Sequence, residues 1–177
     1  MSKLIALLTL CITIASCERT NSIKNNSSLI LAYVPVYSKI SDIENIVLQA
    51  PTPTVNAGKI YAYGNYIFQN DVQKGFHIIN NTVPASAAKV AFMKVPFSTE
   101  LAIKGNFLYC NNVSDLLVFN VSNPAAPQLV NRIKNAFPVI NQKYPPITGT
   151  LFECVQPDSG LVVNWAQRQV PMPNCRR

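Results

Sequence analysis

Two segments of this chain carry the same motif about one supersecondary unit apart. Gly64-Asn65 followed by Asn80-Asn81-Thr82-Val83-Pro84-Ala85 returns as Gly105-Asn106 followed by Asn120-Val121-Ser122-Asn123-Pro124-Ala125. The Gly-Asn pairs are 41 residues apart and the Asn-to-Ala runs 40. A unit of that length cannot bury its own apolar face and folds by stacking on its neighbour, and the spacing suits successive four-stranded blades of a β-propeller. The local chemistry agrees. Gly-Asn between alternating runs marks a two-residue hairpin, because both residue types tolerate the positive φ of a primed turn. Asn80 and Asn120, at strand ends, can accept from the backbone two residues on, and Pro84 and Pro124 stop further pairing.

The period of two defines the strands. Lys59 to Tyr63, Tyr66 to Asn70, Phe76 to Asn80 and Ala88 to Met93 form one predicted blade, with Gln73-Lys74-Gly75 closing its second hairpin. Glu100 to Lys104, Phe107 to Asn111, Leu116 to Asn120 and Gln128 to Ile133 form the next. Leu151 to Val155 and Leu161 to Trp165 begin a third around the turn Pro157-Asp158-Ser159-Gly160. Residues 166–177, with Pro171 and Pro173, are expected to add no strand, which leaves the third unit incomplete. Ahead of the repeats, Leu29 to Val36 reads as a strand, and Ile43, Ile46 and Val47 at helical spacing predict a short helix over Ser41 to Gln49. The expected fold is all-β, a partial β-propeller of two blades and part of a third. The divisions are 1–16 signal, 17–28 tether, 29–58 first strand and helix, 59–96 and 97–138 blades, and 139–177 loop and incomplete blade.

The N-terminus carries an address. A basic start at Lys3 and an apolar run from Leu4 to Ile14 read as a secretion signal, too short for the roughly 20 apolar residues of a membrane span. Ile14-Ala15-Ser16-Cys17 resembles the bacterial lipobox, which implies cleavage before Cys17 and acylation of its thiol and amine, palmitate being a usual chain. Several acyl chains, at about 0.8 kcal/mol per buried CH₂, anchor stably. The Asn/Ser-rich stretch to Ser28 then serves as a flexible tether. The whole chain has 15 Lys and Arg against 8 Asp and Glu, net +7. The cations are scattered, with only Arg176-Arg177 as a doublet, which argues against nucleic acid and for a solvated surface.

Of five cysteines, Cys11 falls in the signal and Cys17 in the lipobox. The remaining three show no Cys-x-x-Cys spacing, and with His77 as the sole histidine no zinc ligand set is legible. A Cys154 to Cys175 disulfide could form in an oxidising compartment, with Cys110 buried on its strand. No metal and no cofactor are expected.

Leu117-Val118-Phe119-Asn120-Val121-Ser122-Asn123-Pro124, and more loosely His77-Ile78-Ile79-Asn80-Asn81-Thr82-Val83-Pro84, resemble the signature of the LVIVD-repeat proteins, in which an aliphatic strand enters an Asp-x-Ser-Asn-Pro turn; Asn stands for Asp in both. Gly64 to Phe68 and Gly105 to Tyr109 also fit that family's pattern, and the similarity runs over roughly residues 33–165. The resemblance implies an exported bacterial β-propeller, closest to the N-terminal part of lipid-anchored, Bacteroidetes-type members. It carries no catalytic motif to map onto this chain.

Among candidate sites, Asp71, Asp115 and Asp158 fall near successive turns and could ring a cation, but turn roles come first. Asn80, Asn120 and Asn164 are equivalent positions that suit turn capping. Tyr61, Tyr63, Tyr66, Phe68, Phe107, Tyr109 and Trp165 could stack on sugars, although packing between blades is the simpler use. The expected function is a non-catalytic binding surface at the cell envelope, on the outer membrane through the N-terminal lipid, with a protein, a glycan or a second copy as partner. Alternatives are a propeller-type hydrolase or dehydrogenase needing further blades, since closure takes at least four, or a truncated gene product without independent function.

Overall fold

A computed structural model describes residues 28–137 and 141–177. The signal, Ile14, Ala15, Ser16 and Cys17 of the lipobox, and all of the tether but Ser28 lie outside the described residues. The chain is all-β, in three sheets, none closed on itself.

The first sheet contains β2 (Val47–Gln49), β3 (Ala57–Tyr63), β4 (Tyr66–Asp71), β5 (Gly75–Asn80) and β6 (Ala88–Lys94), in the order β2-β6-β5-β4-β3. The second is the meander β7 (Leu101–Lys104), β8 (Phe107–Asn112), β9 (Asp115–Asn120) and β10 (Gln128–Ile133), with β7 and β10 at its edges. The two superimpose in register as well as in sequence. Asn80 opposes Ala88 as Asn120 opposes Gln128, and both outer strands break register at one residue, Val90 in β6 and Val130 in β10. The drop in repeat spacing from 41 to 40 has a local cause. The β4–β5 loop has three residues, between the pair Asp71 and Gly75, whereas the β8–β9 loop has two, between Asn112 and Asp115.

These sheets share one core. Phe68, Phe76, Ile78 and Met93 of the first face Leu101, Leu108, Leu117 and Phe119 of the second, all buried. Strand alternation delivers them: β9 buries Leu117 and Phe119 and leaves Leu116 and Val118 half-exposed. Along one side β3 and β7 converge, where the Tyr61 hydroxyl donates to the Ile103 carbonyl at 2.6 Å, the Tyr63 hydroxyl reaches Asn106 Oδ1 at 2.7 Å, and Lys59 pairs with Glu100.

Three sequence expectations are corrected. The helix expected over Ser41 to Gln49 shrinks to α1 (Ile40–Ile43), and Val47–Gln49 instead forms β2, giving the first sheet five strands rather than four. A single turn cannot repay its own nucleation, whereas Val47 to Gln49 gains a partner strand in β6. Residues 166–177, expected to add no strand, do add strand. The strand β12 runs through Leu161–Val170, and β13 (Cys175–Arg176) follows. The first strand, β1 (Ile30–Ser38), inserts between β12 and β11 (Leu151–Phe152), giving β12-β1-β11-β13. β1 and β12 pair antiparallel from Ile30 opposite Val170 to Ser38 opposite Leu161; β1 meets β11 through one parallel bridge, Tyr33 to Phe152. Third, Asn164 lies within β12 opposite Val36, so it is not the strand-end counterpart of Asn80 and Asn120.

Tyr33, Phe152, Val162 and Trp165 form the core of this third sheet. Its Val163 meets Ile43 of α1 and Val113 of the β8–β9 loop in a small separate cluster.

Candidate functional site

The two halves of the repeat motif are one structure. Asn65 accepts the Asn81 N–H through its carbonyl at 2.7 Å, and Asn106 accepts that of Val121 at 2.8 Å, so each Gly-Asn loop is tied to the turn after the third strand of its unit. Asn80 Oδ1 accepts from the Thr82 N–H at 2.9 Å and its hydroxyl at 2.7 Å; Asn120 Oδ1 accepts from the Ser122 N–H at 2.9 Å, and Asn123 Oδ1 from that of Ala125 at 3.3 Å. Pro84 opens a 3-10 turn, Pro84–Ser86. Gly64 and Gly105 have φ of +54° and +56°, while Asn65 and Asn106 do not, so only the first loop position uses the left-handed region. This end of the molecule is built of turn geometry: the side chains of Asn80, Asn120 and Asn123 cap their own turns, while that of Asn106 accepts from Tyr63 of the first sheet.

A second cluster, on the outward face of the first sheet, gave no strong sequence signal. Asp71 and His77 are both buried, with His77 Nε2 3.3 Å from Asp71 Oδ2. The carboxylate also accepts the backbone N–H groups of Val55 and Asn56 at 2.9 and 2.8 Å. Lys89 donates to the Thr52 carbonyl at 3.0 Å and the Thr54 hydroxyl at 2.6 Å. Residues 50–56 thus form a strap pinned at two points across the sheet. Burial pushes the Asp71 carboxyl up, but the strap N–H groups and His77 outweigh it, and its pKa ends below the usual value. Burial, aided by nearby Lys89, pushes that of His77 below its ordinary value despite Asp71. The ring is therefore neutral, packed 4.8 Å from Phe92, with Nδ1 unpartnered. A cleft of about 520 Å³ opens beside the strap, lined by Gln49, Thr52, Asp71, Lys74, Phe92 and Lys94 among others.

The remaining candidates separate. Asp115 accepts from Arg132 at 2.7 Å and the Asn135 N–H at 2.9 Å, and Asp158 sits in an exposed 3-10 turn. The three aspartates do not converge, and no group of three metal-ligating side chains occurs among the described residues. Cys154 and Cys175 are bonded, with Cα atoms 5.3 Å apart, and the Cys110 thiol is free, with burial pushing its pKa far up. The aromatic residues form no common face. Phe68 is core, Tyr61 and Tyr63 bridge the sheets, Trp165 packs on Phe152 at 5.6 Å, and Phe107 and Tyr109 lie on the second sheet's outward face.

That outward face is the largest departure from symmetry. Tyr109, Leu116, Val118 and Ile133 occupy the repeat positions of Phe68, Phe76, Ile78 and Met93. The latter are 0–2% exposed, because the second sheet covers them; Ile133 is 47% exposed and the other three half-exposed. With Phe107 and Val130, 41% and 52% exposed, they form an uncovered apolar surface. A cleft of about 390 Å³ continues it past Leu116 to Phe137. Asn111 and Asn112, missed as site residues in the sequence, tie the strand below: Asn111 Oδ1 accepts from the Thr99 and Glu100 N–H groups, and Asn112 donates to the Ile43 and Pro96 carbonyls.

No curated protein and no solved structure matches the chain. One stretch does match a protein-family model: residues 98–135, the span of β7 to β10 and its bordering turns, match the LVIVD repeat.

Proposed function

We propose that this chain is an exported bacterial lipoprotein, held by acyl chains on Cys17, whose LVIVD-type sheets are propeller blades that present a non-catalytic binding surface at the cell envelope. The carrying observation is the open apolar face of the second sheet, at positions that the first repeat buries completely. Contiguous exposed apolar patches mark interaction sites. The lipobox residues Ile14 to Cys17 and the polar stretch after them support the anchor. The reading assigns no catalytic residue.

The test uses the full chain in a bacterial host. Cys17 is expected to carry the mass of its acyl chains, and Cys17→Ala to move the protein from the membrane to the periplasmic fraction. A photo-crosslinker at position 118 should give one discrete adduct, and one at Asn164 none. Unmodified wild type in the periplasm overturns the anchor, and equal labelling from both positions overturns the surface. Ile78→Asp and Val118→Asp supply the control: the first should unfold the paired sheets, the second should leave the unfolding midpoint nearly unchanged.

A further inference from the structure

In the first sheet the outermost repeat strand is not an edge. β6 carries β2 on its outer side, antiparallel, with Val47 opposite Lys94, Leu48 opposite Met93 and Gln49 opposite Phe92. In the second sheet β10 stands at the place of β6, with the same register break, and Arg132 and Ile133 are the counterparts of Phe92 and Met93. Yet among the described residues β10 ends its sheet.

Edge strands are normally blunted by proline, by lysine, by a bulge, by shortness or by a covering element; β10 bulges at Val130, but β6 bulges at the equivalent Val90 and still pairs with β2. β10 is six residues long and contains neither proline nor lysine. Its one charge, Arg132, is committed to Asp115 on the adjacent strand. Leu129, Val130 and Ile133 are 44%, 52% and 47% exposed. The other edges differ. β2 and β13 are very short, β3 and β7 face each other, and β12 exposes Asn164, Gln167, Arg168 and Gln169.

We propose that the outer edge of β10 is a docking site for a short, extended, aliphatic segment of a partner polypeptide, which adds antiparallel as a fifth strand in the register that β2 takes on β6. Main-chain hydrogen bonds to an exposed edge supply affinity, and alternate side chains supply selectivity. Here the register of β2 on Phe92 to Lys94 sets those side chains beside Arg132, Ile133 and Lys134, with Ile133 continuous with the open apolar face. Lys134, exposed at the end where the segment begins, favours an acidic residue there. The inference rests on the binding-surface reading for the existence of a partner, and on strand geometry for the site.

The probe is a synthetic peptide of residues 45–51, this chain's own β2 segment, added to the purified chain. At millimolar peptide, amide hydrogen exchange within residues 132–134 should slow at least about tenfold at the positions whose N–H faces the edge, since amides alternate in direction along a strand. The same peptide N-methylated at Leu48 and Gln49 should have no effect, since one of two adjacent amides must face β10. Ile133→Lys, at an exposed position, should abolish the protection with the unfolding midpoint retained. Unchanged exchange in β10, or an effect confined to residues 92–94, overturns the proposal. Protection that grows with protein concentration without peptide also overturns it and puts a second copy on the edge. None of these outcomes depends on lipidation or on the crosslink from position 118, so failure here and failure of the functional reading are distinguishable.

Discussion

Glycine is used in two physically different ways in the first unit. At Gly64 a Cβ would meet nothing within 4 Å, so only the positive φ opposes a side chain. Gly64→Ala should cost about 1 kcal/mol. At Gly75 φ is +144° and a Cβ would lie 2.1 Å from the Met93 carbonyl oxygen and 2.7 Å from the Val95 nitrogen, both backbone atoms. Gly75→Ala should cost about 3 kcal/mol or more, because strain and overlap add where neither strand can move. Urea midpoints of the two variants measure the contrast, and equal losses would show that β5 and β6 can part. His77 is the only histidine, which isolates its titration. Its folded pKa lies below the ordinary 6.5, so as pH falls through that value the unfolded chain takes the proton first and stability declines. Asp71 acts lower: its contribution is complete above about 3.8 and fades as pH falls below that toward its depressed folded pKa. The melting temperature should therefore drop between pH 7.5 and 5, and His77→Gln should flatten that interval; parallel curves would remove the burial argument. Neither Asp71 nor His77 was legible as a pair. A hairpin residue and a strand residue look ordinary until the strap, 15 and 16 residues upstream, closes over them.

At the scale of elements, the strands of the two repeat sheets were readable because a period of two, a Gly-Asn loop and a proline-bearing turn all signal locally. The failures share one cause. β2 and the second half of β12 owe their state to partners far along the chain, β6 and β1, so Ile43, Ile46 and Val47 read as a helix and Gln167 to Val170 as a loop. The β11–β13 pair depends on a third kind of partner. It is a two-residue ladder, Leu151 to Arg176 and Phe152 to Cys175, next to the bond between Cys154 and Cys175, 21 residues apart. Closing a loop of that length is worth about 3 kcal/mol in the chain-entropy view. Reduction, or Cys154→Ser with Cys175→Ser, should raise amide exchange in β11 and β13 while residues 59–133 keep their protection. Uniform loss across all three sheets would show instead that the third sheet stabilises the other two.

At the scale of the molecule, the repeat is symmetric in sequence and asymmetric in burial. Among the described residues, the first sheet is covered on both faces, by the second sheet and, through Asp71 and Lys89, by the strap; the second is covered on one. That asymmetry, and the vacancy beside β10, make one side of the second sheet the place where an association can add buried area. The sequence by itself determined the all-β class, the two repeat units, their hairpins and the Asn-capped turns, because each is decided by residues a few positions apart. Tertiary structure alone decided that β1 is built into the C-terminal sheet, that His77 is buried neutral beneath a strap, and which apolar face stays open. Those outcomes depend on which surface reaches which, and strand alternation specifies two faces without saying which of them will find a partner.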